Sequence, residues 1–124
     1  MIDIVKFLRA RLDEDEAGAL SASRNGGRWI SQEEHVETVE GCLIADFELK
    51  SDSSHCSEHD PARVLREVAA KRAMIEPFDQ AVRKHEWLHD PWHRAIWTLH
   101  LRNAIYPLAT VYSDHPDYDR KWGA

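Results

Sequence analysis

Histidine is the residue type this sequence concentrates: eight occur in the chain, and four of them fall between His85 and His100. His85 and His89 stand four apart, and Glu86 with His89 forms a Glu-x-x-His. On a helix that spacing presents a carboxylate and an imidazole to one metal ion. Di-metal helical bundles take such a motif from two helices and add further carboxylates, whereas this chain holds one copy. The preferred reading of His85, Glu86 and His89 is therefore a partly exposed amphipathic surface, with a divalent-metal site and metal-dependent hydrolysis as the alternative.

A second set of donors is His55, Cys56 and His59, with Cys42 as a further candidate. Imidazole and thiolate both suit Zn²⁺, and three ligands within five residues before a helix could chelate it. The paired-cysteine knuckle usual in small zinc sites is missing, and His59 can instead support the start of the helix that follows. No cofactor is predicted; zinc or another divalent ion is the alternative. Asp114-His115-Pro116-Asp117-Tyr118 places acids beside a histidine and invites an acid–base reading, but a general base needs a tuning neighbour and a substrate pocket. The competing reading is a structural terminus, in which Tyr112, Tyr118 and Trp122 pack back on the body while Pro116 forces an extended turn. Gly26-Gly27 lacks the frame of a phosphate-cradling loop, and no G-x-S-x-G occurs. Cys56, beside His55, is the one cysteine worth testing as a nucleophile. No catalytic residue is assigned.

Trp87, Trp92 and Trp97 form the densest aromatic patch in the chain. Tryptophan is enriched at binding hot spots, so part of this patch reads as a partner surface, balanced against a purely core role.

The elements that must position these residues follow from local pattern. Val5, Leu8 and Leu12, widened by Ile4 and Ala19, predict a helix over about 2–20. Asp13 to Glu16 load its second half with acid, where the helix dipole disfavours it; solvation is the expected account, a cation or basic partner the other. Ser21 to Gly27 is a breaker cluster. A β region over about 28–49 follows, in two or three strands, with Glu40-Gly41 as a turn before the best one, Cys42 to Leu49. Lys50 to Glu58 reads as a polar, serine-rich loop. Asp60-Pro61 is a strong helix start, a capping carboxylate followed by proline at the first helical position, and predicts a helix over about 60–76. Pro77 should stop or kink it. A shorter helix is expected over about 78–89, and Asp90-Pro91 opens a long one over about 91–112 that is apolar around most of its circumference. Pro107 should kink that helix, and 113–124 is expected as an extended tail.

Three blocks of this pattern resemble a known family. Asp3-Ile4-Val5-Lys6-Phe7-Leu8-Arg9-Ala10-Arg11-Leu12-Asp13-Glu14-Asp15-Glu16 looks like its opening helix. His55, His59-Asp60-Pro61-Ala62-Arg63-Val64-Leu65-Arg66-Glu67-Val68 and Ala70-Lys71-Arg72 match in order. The third block is Leu108 to Trp122, with Tyr112-Ser113-Asp114-His115-Pro116-Asp117-Tyr118 at its centre. The family comprises small actinobacterial and actinophage proteins known only as a domain of unknown function, so the resemblance implies kinship and no reaction. Many relatives carry closely spaced cysteine pairs, suggestive of zinc, between the second and third blocks. Here 74–106 contains no cysteine, so a zinc role carried over from them lacks those ligands.

Length and composition complete the expectation. A chain of 124 residues is one domain by size, 1–124, and its 43% hydrophobic and 31% charged residues are globular in balance. No run reaches the ~20 apolar residues of a membrane span. Met1-Ile2-Asp3-Ile4-Val5-Lys6 lacks the basic and apolar regions of a secretory signal, which predicts a cytoplasmic location. A net charge of −6 disfavours nucleic-acid backbones. Cys42 and Cys56 are expected as buried thiols rather than a disulfide. The sequence thus predicts a mainly helical α+β domain, three or four helices packed with a small antiparallel hairpin or meander. Its function is read as a non-enzymatic interaction or regulatory module with a protein partner. Self-association through the long helix is expected, with Trp92, Ile96, Trp97, Leu101 and Ile105 at the interface.

Overall fold

Ile4, Val5, Phe7, Leu8, Leu12 and Ala19 are the buried apolar residues of helix α1 (Ile2–Ala22), the 3- and 4-residue steps of an amphipathic helix. The structure, a computed structural model, describes residues 2–85 and 90–123. The breaker cluster ends α1 in turns, with Gly26 at φ +106°, a conformation that favours glycine.

Three short strands follow: β1 (Trp29–Gln32), β2 (His35–Thr38) and β3 (Leu43–Asp46). They form an antiparallel meander in the order β1-β2-β3, pairing Ser31 with Val36 and Val36 with Ala45, with a bulge at Val36/Glu37. Val36 and Thr38 are fully buried. The buried Thr38 hydroxyl oxygen accepts the Cys42 N–H at 3.0 Å, so its burial leaves no orphaned acceptor. At the second turn Gly41 has φ +93° and donates its N–H to the Thr38 carbonyl at 2.9 Å.

The segment 50–58, expected as a loop, is helix α2 (Lys50–Glu58), packed on β1 and β2. Its contact with the sheet explains the difference. The Ser53 side chain is fully buried, and its hydroxyl donates to the Glu33 carbonyl at 2.6 Å. Lys50 forms an ion pair with the Glu33 carboxylate. Glu33 sits in the two-residue β1–β2 turn at φ +56°, which a residue with a Cβ adopts at a cost. The two contacts from α2 hold it there.

Helix α3 (Pro61–His85) runs through Pro77 without ending, so of the stop or kink expected there the stop does not occur, and the helix expected over 78–89 is α3's continuation up to 85. Ile75 and Asp79, flanking Pro77, are both buried, and Asp79 accepts from Arg9 at 3.1 Å and lies 3.2 Å from Arg83. The burial of Ile75 and Asp79 and the bond from Arg9 hold both sides of the position where proline removes a backbone donor.

The run expected as one long apolar helix is three segments: α4 (Pro91–His100), a π-helical turn at Leu101–Ile105, and α5 (Tyr106–Thr110). Pro107 has no N–H to give to the fourth residue before it, and the wider turn lies directly upstream, where the Tyr106 N–H reaches back five residues to Leu101. Nor is the run buried all round: no residue of α4 is buried, and only Leu101, Ile105 and Ala109 are buried beyond it. The tail is not extended either. It folds through turns into a 3₁₀ turn at Arg120–Gly123, with Trp122 buried.

The chain is thus mainly helical α+β. It divides into two compact units, Met1–Leu12 with Ala70–Ala124, and Asp13–Ala69. The first is built on the buried residues of α1's start together with Ile75, Leu101, Ile105, Ala109 and Trp122. The second holds the meander, α2, and the start of α3 with Val68. Among the described residues no helix is long and apolar enough to cross a membrane.

Candidate functional site

Helix α4 begins on the expected cap. One Asp90 carboxylate oxygen accepts the Trp92 N–H at 3.0 Å, and the other lies 2.6 Å from His93 Nδ1. The Trp92 N–H first, then the His93 side chain, hold the Asp90 carboxyl below its ordinary range. The apolar residues beyond the cap fall on two opposite faces. Trp97 and Leu101, four apart, form the inner one: Leu101 is buried, and the half-buried Trp97 meets Phe78 edge-on at 6.4 Å. Trp92, Ile96 and Leu99, at i, i+4 and i+7, form the outer one. Trp92 is 67% exposed and Leu99 59%, with Ile96 half-buried.

The residues expected at an interface divide between these two faces. Leu101 and Ile105, at 6% and 1% exposure, belong to the chain's own core and are not available to a partner. Trp92 and Ile96 lie on an open face that also carries Leu99, and Trp97 lies between the two faces. The signal for Leu99 was present in its seven-residue spacing from Trp92, but a helix read as apolar on every side gave no reason to separate two faces.

The C-terminal block gathers on Phe7. Its ring lies 4.9 Å from Trp122, 5.7 Å from His115, 6.2 Å from Tyr118 and 6.3 Å from Tyr112, and the Arg11 guanidinium stands 5.3 Å above it. The Arg11 guanidinium and the Asp117 backbone N–H both donate to His115 Nδ1, at 2.9 and 3.1 Å. Both partners are pure donors, so Nδ1 is the acceptor and the ring proton sits on Nε2. Nδ1 is already used twice, and the arrangement is one of a terminus pinned to α1, as the structural reading of this block expects. Beside it lies a cavity of about 320 Å³ walled by Lys6, Phe7, Arg11, Asp117, Asp119 and Trp122, among others. Asp119 is held below its ordinary pKa by the Lys121 N–H and then by the Lys121 side chain.

Of the expected metal donors, His55 and His59 come together, their ring centroids 4.4 Å apart. Cys56 is half-buried, and Cys42 is an exposed free thiol rather than a buried one. Among the described residues no group of three His, Cys, Asp or Glu side chains is arranged to hold a metal ion. Of the other set, His85 is the last residue of α3, and Glu86 and His89, like Trp87, lie outside the described residues.

No curated protein and no solved structure is significantly similar to the chain. A family model described as a family of unknown function, DUF6221, matches residues 1–124, and since the match runs from end to end, the chain belongs to that family.

Proposed function

We propose that this chain is a non-catalytic interaction module whose partner is a second copy of itself, docked through the outer face of α4. The observation that supports this reading is the row Trp92, Ile96, Leu99, which the fold leaves open on a helix with no buried residue. Exposed tryptophan in such a row is characteristic of binding surfaces. A two-fold pairing of antiparallel α4 helices matches this row to itself, setting Trp92 of each copy against Leu99 of the other with Ile96 near the axis.

The expected strength follows from size. Three such side chains per copy cover less than the ~1,200 Å² of a stable interface, so association is weak and depends on concentration. Mass measurement by light scattering over a wide micromolar range tests this. The native chain should pass from monomer to dimer, while Trp92→Glu and Leu99→Glu, both at exposed positions, should remain folded and monomeric throughout. A native chain that stays monomeric at the top of the range, or variants that associate as it does, would overturn the reading.

A further inference from the structure

We propose that the cavity between the start of α1 and the C-terminal turns binds a small zwitterion, a molecule with one ammonium, one carboxylate and an apolar body. All of its walls belong to the unit of Met1–Leu12 with Ala70–Ala124. None of them lies on the outer face of α4, so binding here is independent of self-association.

Helix α1 supplies the apolar floor. At about 100° per residue, Ala10 and Phe7 lie between Lys6 and Arg11 on one face of the helix. Phe7 is buried with its ring 4.9 Å from Trp122, and Ala10 contributes only a methyl group to the same wall. The volume, about 320 Å³, is at the lower end of small-molecule sites and suits a small ligand.

The charges around this floor are not equally engaged. The Arg11 guanidinium, its side chain 10% exposed, stands over Phe7 and donates to His115. Asp119 is taken up by Lys121, accepting its N–H at 3.0 Å and meeting its ammonium at 2.9 Å. Lys6 and Asp117 are held less. Among the described residues Lys6 forms no ion pair, and the Asp117 carboxylate stands 4.0 Å from both Arg11 and His115 Nδ1, too far for a hydrogen bond. The Asp117 backbone is fixed all the same, because its N–H donates to His115 Nδ1 at 3.1 Å. The cavity therefore offers an ammonium from α1 and a carboxylate from the tail, each with bonding capacity to spare, beside an apolar floor. A ligand with a single charge answers one of them. A zwitterion answers both, its carboxylate to Lys6 and its ammonium to Asp117, with the apolar body on Ala10, Phe7 and Trp122.

The test is an NMR chemical-shift titration of the full chain with two zwitterions: L-leucine, whose charges share one carbon, and ε-aminocaproate, whose charges end an apolar chain. Hexanoate and hexylamine are the single-charge controls. At least one zwitterion should shift the amides of Lys6, Arg11 and Asp117 to saturation within the millimolar range, and both controls should bind about tenfold more weakly or worse. Lys6→Gln and Asp117→Asn, both at exposed positions, should each weaken binding about tenfold or more. Ala10→Leu, at an exposed helical position that accepts leucine readily, should abolish it by filling the floor. An amide spectrum of native dispersion shows each variant to be folded. No saturable shift with either zwitterion overturns the proposal. So does a control that binds as tightly as the zwitterions, or full affinity in any of the three variants.

Discussion

The Asp60 carboxylate accepts the backbone N–H of Trp29 at 3.1 Å, joining the first residue of β1 to the start of α3. Its other oxygen accepts the Arg63 N–H at 2.8 Å, the bond of an N-cap residue. A third link runs beside these, from the Ala62 N–H to the Gly27 carbonyl at 2.9 Å. One side chain therefore serves as helix cap and as strand anchor.

Asp60→Ala should on that account cost more than a cap alone. Loss of the cap contributes about 1 kcal/mol, and the Trp29 N–H left without its charged acceptor contributes about another 1 kcal/mol. Asp60→Asn keeps one acceptor and turns an N–H toward the second donor, so it should fall between the two. Urea unfolding with an unchanged m-value reads both. A midpoint that does not move in Asp60→Ala would show that neither bond matters in solution.

Trp122 should be among the residues whose loss costs most. Its side chain is 6% exposed and its ring stands 4.9 Å from Phe7, so Trp122→Ala removes a large buried aromatic group and opens a cavity beneath the tail. A cost of about 3 to 5 kcal/mol is expected. Leu99→Ala, on the open face of α4, should cost less than about 0.5 kcal/mol. Equal effects of the two in denaturant unfolding would place the tail off the core.

What was legible in the sequence is what local chemistry decides. The Asp60-Pro61 and Asp90-Pro91 starts, the period of α1 and the turn at Gly41 each rest on residues within a few positions of one another. Helix α2 does not. Ser51, Ser53, Ser54 and Ser57 are ordinary loop formers, and the bond tying the segment to the sheet, from Ser53 to Glu33, spans twenty residues. Propensity was overridden by packing there, as it was at Pro77, where Asp79 and Ile75 hold the helix on.

The site was legible to a similar degree. Trp92 and Ile96 stood out by type, but nothing in the pattern set Leu101 and Ile105 apart from them, because an inward and an outward apolar residue look alike until the neighbouring elements are in place. The bond from Arg11 to His115 joins residues 104 positions apart. No periodicity announces such a pair, although both ends lie in blocks that resemble the family.

Acid should loosen the start of α4 with a midpoint that Asp90 sets. Its carboxyl is held below the usual range chiefly by the Trp92 N–H, so the folded state binds its proton less readily than the unfolded chain does. The stabilisation is therefore fully present above the unfolded value of about 3.9 and lost as pH falls through the lower folded value. In an NMR titration the Trp92 amide should shift with a midpoint below about 3.9, and Asp90→Asn should abolish that step. A midpoint at or above the unfolded value would mean that the cap does not form. Because Asp90 sets the first turn that carries Trp92, the same loss should disturb the outer face of α4, and any association through it should weaken over the same acidic interval.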